Sequence, residues 1–140
     1  MSVDAVMEEV LEDLPQGMAV GYVDMASGSL LAVRTVNQYP GELFEELASL
    51  FGEILQGSHI VQAEDIVDRV RGKQRPAGTH YFNDMILLTD HTLHIFLRGK
   101  ENPDHGLVFV CMKDANIGMA FHQARQARER IEAEALLPLA

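Results

Sequence analysis

Six histidines and a single cysteine are the residues of this 140-residue chain with the most obvious chemical potential. A zinc or iron site needs ligands that converge, usually announced by close His, Cys, Asp or Glu spacing. His91 and His94 are three apart in a segment that alternates like a strand, so they point to opposite faces. His122 has no histidine or acid one helical turn away, and His59, His80 and His105 sit in separate loops or strand starts. No metal and no cofactor are therefore expected. Cys111 stands between Val110 and Met112 in an apolar run. A reactive thiol needs an accessible, electropositive setting, so burial is the expectation here. One cysteine cannot form a disulfide within one chain, which suits a reducing compartment. No serine lies in Gly-x-Ser-x-Gly, and neither Gly-x-Gly-x-x-Gly nor Gly-x-x-x-x-Gly-Lys-Ser/Thr occurs. No catalytic residue is expected, and the chain reads as a non-enzyme.

The one joint that resembles a phosphate site is Lys113-Asp114-Ala115-Asn116, where the apolar run Leu107–Met112 gives way to a helical pattern with Gly118 just inside it. A helix start leaves free N–H groups that can hold an anion. Asn116 can cap those donors itself, and Asp114 places negative charge beside them. A capped helix is the better reading. In that helix Ile117, Ala120, Phe121, Ala124, Ala127 and Ile131 are expected to face the sheet, and Arg125, Arg128 and Arg130 to face solvent.

The elements that must position these residues can be read from periodicity. Val3, Val6, Met7, Val10, Leu11 and Leu14 share a helical face, with Ser2 as N-cap and Pro15 and Gly17 as the stop. Met18–Asp24 and Leu30–Val36 read as strands around Ala26-Ser27-Gly28-Ser29, a hairpin. Pro40 and Gly41 open a second helix whose apolar stripe is wide. Leu43, Leu47, Leu50 and Ile54 trace one seam, and Phe44, Phe51 and Leu55 trace another. One seam can meet the domain's own sheet and the other a second subunit. Residues 58–78 form a longer connecting segment, with a short amphipathic helix or a continuation of the previous one around Ile60–Val70. The basic cluster Arg69, Arg71, Lys73 and Arg75 is expected to pair with Glu64, Asp65 and Asp68. Three strands follow, Tyr81–Thr89, Thr92–Arg98 and Leu107–Met112, then the final helix. Strands joined by short turns imply an α+β fold, a five-stranded antiparallel sheet flanked by helices in the order α-β-β-α-β-β-β-α, all in one domain over 1–140.

Composition narrows the function classes. The net charge is −10, which argues against non-specific nucleic-acid binding. Residues 1–68 carry net −12 and residues 69–140 net +2, an acidic surface on the first helices. No apolar run approaches the roughly 18 residues of a membrane span. Met1-Ser2-Val3-Asp4 lacks the basic start of a secretion signal, so a cytoplasmic location is expected.

The hairpin "MAVGYVDMASGSLLAVRT", the helix "ELFEELASLFGEIL" and the end "GLVFVCMKDANIGMAFHQAR" together resemble the Roadblock / dynein light chain family of the profilin-like group, and within it the bacterial-type GTPase-regulator branch. The strand running into Asn116-Ile117-Gly118 is similar to the family's Asn-Leu-Gly at the start of its last helix. The resemblance implies a homodimer or heterodimer, here a homodimer, whose second helices pack together and whose third strands join the two sheets. Leu43, Leu47, Leu50, Phe51, Ile54 and Met85 would form that interface. It also implies a non-enzymatic scaffold, with a small Ras-like GTPase or a signalling complex as partner. The alternative is a profilin-like module that senses a small ligand, lined by His80, Tyr81, His94 and Phe96.

Overall fold

Thr92–Arg98 alternates so strictly that its two faces are set by the sequence: Leu93, Ile95 and Leu97 on one side, His94, Phe96 and Arg98 on the other. In the computed structural model, which describes residues 2–36 and 38–135, both faces are covered and this strand is buried almost throughout. The elements are α1 (Val3–Asp13), β1 (Gly17–Asp24), β2 (Ser29–Thr35), α2 (Gly41–Leu55), α3 (Ser58–Arg71), β3 (Asp84–Leu88), β4 (Thr92–Arg98), β5 (His105–Met112) and α4 (Ile117–Ala135). The five strands make one antiparallel sheet in the order β2-β1-β5-β4-β3. Among the described residues, no helix is long and apolar enough to cross a membrane.

One face of the sheet carries Val20, Tyr22, Leu93, Ile95, Leu97, Leu107, Phe109 and Cys111. Helices α1 and α4 close it. Ser2 caps α1 through its side-chain oxygen, which accepts the Ala5 N–H at 3.1 Å. The buried stripe of α4 is Ala120, Ala124, Ala127 and Ile131, small residues for the most part, which let the helix lie close to the strands. Arg128 and Glu132 share that stripe and are buried, so Arg128 does not face solvent as its charge suggested. Ile117 is left 42% exposed at the first helical position.

The opposite face carries Ala19, Val23, Phe96, Val108 and Val110 under α2. Two phenylalanines set how close α2 comes. A Cβ on Gly21 of β1 would overlap the Phe44 ring, and one on Gly106 of β5 would press on the Phe51 ring. Each ring sits directly over a strand position with no side chain, which only glycine provides. Phe51 also packs on Phe96, with ring centroids 5.0 Å apart.

Residues 58–71 form a full helix, α3, so most of the connecting segment is structured. Gly72, at φ 73°, ends it in the left-handed conformation. The third strand is shorter than its apolar run, because Tyr81 and Phe82 spend their backbone N–H groups on Glu64 of α3 instead of on a neighbouring strand.

The glycine contact gives a direct test. Gly21→Ala should destabilise the protein by about 1–3 kcal/mol, since a methyl group must displace the Phe44 ring in a packed core. The urea midpoint measures this, and an unchanged midpoint would show that α2 does not depend on that contact.

Candidate interaction surface

Helix α2 is apolar on more of its circumference than one sheet can cover. Phe44, Leu47, Ala48, Phe51, Gly52 and Leu55 turn inward and are buried. Leu43 is 47% exposed, and Leu50 and Ile54 are half-buried. These three make a short ridge along the outside of the helix at i, i+7 and i+11. Exposed Glu42, Glu45, Glu46 and Glu53 flank it, and no lysine or arginine of α2 balances them.

The two ends of the sheet differ. Edge strand β2 is guarded: Arg34 pairs with Asp4 and Glu8 of α1 at 3.4 and 3.3 Å, and its residues are mostly half-buried. Edge strand β3 pairs with β4 on one side, and no other strand of the sheet flanks it. Its Met85 and Leu87 pack beside the α2 cluster, while Ile86 and Leu88 are 43% and 53% exposed on the other face. Asp84 is its only charge. An apolar edge with almost no charge invites another strand.

The lead-in to β3 is held in place by buried ions. Glu64 of α3 is fully buried. Its carboxylate accepts the Tyr81 N–H at 2.6 Å and the Phe82 N–H at 3.4 Å, and lies 2.9 Å from His80 Nδ1. Burial pushes its pKa up, but the bonds from His80, Tyr81 and Phe82 outweigh burial and hold it below the ordinary range. Beside it, Asp68 accepts the Tyr81 hydroxyl at 2.6 Å and Arg75 Nη1 at 2.6 Å. Arg75 also reaches Asp65 at 3.2 Å, so this arginine of the basic cluster is paired within the chain. From the sheet side, Arg98 donates to Phe82 O through Nε and Nη2 at 3.3 and 3.0 Å, and to Leu55 O at the end of α2 at 2.7 Å.

The interface residues suggested by sequence divide into two sets. Leu43, Leu50, Ile54 and Met85 keep accessible surface on one side of the molecule. Phe51 has none, and Leu47 is nearly buried, so both are committed to the protomer's own core and Phe51 cannot touch a second chain in this fold. At the start of α4, Asn116 Oδ1 accepts the Met119 N–H at 2.9 Å, a side-chain cap on the donors that an anion would need. Cys111 is buried and its pKa is pushed up to about 11 by burial, which disfavours the nucleophilic thiolate. His94 and Phe96 are buried on the α2 side of the sheet, while His80 and Tyr81 are tied to Glu64 and Asp68, so the four do not line a common cavity. Among the described residues, no three His, Cys, Asp or Glu side chains are grouped to hold a metal. Sequence reasoning missed Glu64 and Glu132 as buried anchors. Glu132 accepts three consecutive loop N–H groups, from Lys100, Glu101 and Asn102, at 2.9, 2.9 and 3.3 Å.

No protein-family model matches the chain, and no curated protein matches its sequence. Solved structures do match its fold. The gliding protein MglB of Thermus thermophilus superposes with a TM-score of 0.68 at 19% identity, covering 95% of this chain and 87% of that one. A Roadblock/LC7 domain from Streptomyces avermitilis gives 0.68 at 10% identity, covering 98% and 100%. An MglB in a tetrameric arrangement gives 0.66 at 22% identity, covering 96% and 90%. The chain has the Roadblock/LC7 fold, with helices flanking a five-stranded antiparallel sheet.

The Glu64 anchor makes the β3 lead-in sensitive to acid. Its folded pKa lies below the unfolded value, about 4.3, so its contribution is complete above that value and is lost as pH falls through the lowered one. Glu64→Gln should cost about 1–3 kcal/mol at neutral pH and clearly less near pH 3, by analogy with other buried charge-assisted bonds. Urea midpoints of both forms at the two pH values decide this. An equal loss at both would mean that the carboxylate charge is not what holds the segment.

Proposed function

We propose that the chain is a non-catalytic Roadblock-type regulator that works as a homodimer in the cytoplasm, as a single domain, and acts on a small Ras-like GTPase. The observation that carries this reading is the pairing of the Leu43, Leu50 and Ile54 ridge with the open edge of β3 on one side of the molecule. Likeness in fold to MglB supports it.

Magnitudes decide how the two halves of the surface contribute. Burying what remains exposed on Leu43, Leu50 and Ile54 gains at most about 5 kcal/mol. Association costs about 4–15 kcal/mol in lost freedom. The ridge alone is therefore too small for a stable dimer. Pairing β3 with its symmetry copy would add a run of backbone hydrogen bonds and extend the sheet across both protomers. Met85, half-buried on the α2 side of β3, would add apolar surface at the strand contact. A two-fold axis between the protomers makes the surface self-complementary, as an isologous dimer requires.

Leu50→Glu combined with Ile54→Glu tests the ridge. Both side chains are partly exposed, so the variant should fold with an ordinary thermal melt but run as a monomer and lose binding to its GTPase. Phe51→Asp should instead destabilise the fold itself, by about 4 kcal/mol or more. If the double variant stays dimeric and still binds a GTP-loaded small GTPase, the ridge is not the interface.

A further inference from the structure

A cationic hollow of this acidic protein lies between α4, the start of β3 and the β4–β5 loop. It encloses about 600 Å³. Lys100, Arg125 and Arg128 line it against Asp84 and Glu129, a fixed charge of +1 in a chain of −10, while Arg98 meets it beside Arg128 with a guanidinium already bonded to carbonyls on the α2 side. That volume is within the range of small-ligand sites.

Its donors outnumber its acceptors. Asp84 is shared by Arg125 and Arg128 at 3.5 and 3.4 Å, the long end of hydrogen bonding. Arg128 is buried, and its Nη1 also donates to Arg98 O at 3.2 Å, yet its Nε has no hydrogen-bond partner. Each guanidinium offers five N–H donors, so one carboxylate satisfies neither arginine. Arg125 is held in position by the Phe121 ring, 4.2 Å below its guanidinium, while its side chain stays 56% exposed. Among the described residues no carboxylate pairs with the Lys100 ammonium, although Glu132 fixes the Lys100 backbone at 2.9 Å. The cations are thus placed by packing and backbone contacts more than by partners of their own.

We propose that this cleft binds a phosphoryl dianion, with Arg125 and Lys100 as the principal contacts and Asp84 as the internal group it competes with. A phosphate monoester carries about −1.5 to −2 charges and three acceptor oxygens, which match the surplus of charge and of donors. A single carboxylate supplies half the charge and fewer acceptors. The planar guanidinium of Arg125 suits paired phosphate oxygens, and Lys100 adds a mobile point charge on the loop side. The α4 residues of the cleft lie across the sheet from the leucine ridge, and Asp84 is its one member on the β3 strand proposed to pair. The phosphoryl group has two sources, a free small molecule or a phosphorylated side chain of a partner protein.

Titration of the full chain with orthophosphate, and separately with a phosphoserine peptide, followed by amide NMR, tests the assignment. Saturable shifts are expected at Lys100–Asn102 and around Arg125. Lys100→Gln with Arg125→Gln should weaken binding about tenfold per lost contact. Asp84→Asn should act in the opposite direction and tighten it several-fold, because a competing charge is gone while an acceptor remains for Arg128. Orthophosphate that saturates as tightly as the peptide points to a free phosphorylated ligand, and peptide binding alone points to a phosphorylated partner. The proposal is overturned if neither probe saturates at millimolar concentration. It is also overturned if folded Lys100→Gln/Arg125→Gln protein binds as well as the original.

Discussion

The Arg98 guanidinium lies inside the protein, and four oxygens from three parts of the chain hold it there. It donates to Leu55 O and Gln56 Oε1 at the end of α2, to Phe82 O before β3, and to Pro103 O in the β4–β5 loop. Its own carbonyl accepts from Arg128 of α4. Burial pulls its pKa down, and the negative charges of Glu64 and Asp104 pull it back up, while arginine keeps its proton either way. A buried cation can rest at the carbonyl end of a helix because the helix dipole is negative there. The position of α2 over the sheet, the start of β3 and the loop beside α4 are thereby fixed to one side chain of β4. Removing it would leave carbonyls unpaired in all three places, which is how a buried ionic group couples distant elements.

With those elements held, the two faces of the sheet end up with different characters. The α1/α4 face is closed by alanines and aliphatic side chains and sealed at its rim by ion pairs such as Arg130 with Glu9. The α2 face is closed by two phenylalanines resting over glycines, which leaves the outer leucines of α2 only partly covered by the protomer. An apolar ridge that the protein's own core only partly covers, on the same face as an edge strand with almost no charge, is the kind of surface that a second chain completes.

Much of this was legible in the sequence. The strict alternation of Thr92–Arg98 placed both faces of the central strand, and the two seams of α2 foretold a helix apolar beyond one face. The pairing of Arg75 with Glu64, Asp65 and Asp68 followed from local charge. The failures have physical causes. Polarity alone sends Arg128 to solvent, although it follows Ala120 and Ala124 at helical spacing and so falls on the buried stripe, with Glu132 one turn further on. The seams put Phe51 with Phe44 and Leu55, and only the interface implied by the resemblance joins it to the leucines, since hydrophobicity alone cannot tell which seam meets the sheet. The start of β3 was misplaced because Tyr81 and Phe82 bond to a carboxylate seventeen and eighteen residues away, a contact that no local pattern announces. The cationic cleft is likewise assembled from three separate segments and has no linear signature.

The central claim is that the surface of α2 and β3 is completed by a second copy of the chain. Light scattering of the unmodified protein across a concentration series tests it most directly, at moderate salt so that the glutamates flanking the ridge are screened. A mass of twice 15.5 kDa that persists on dilution into the low micromolar range is the expected result. A mass of 15.5 kDa at high micromolar concentration would contradict it.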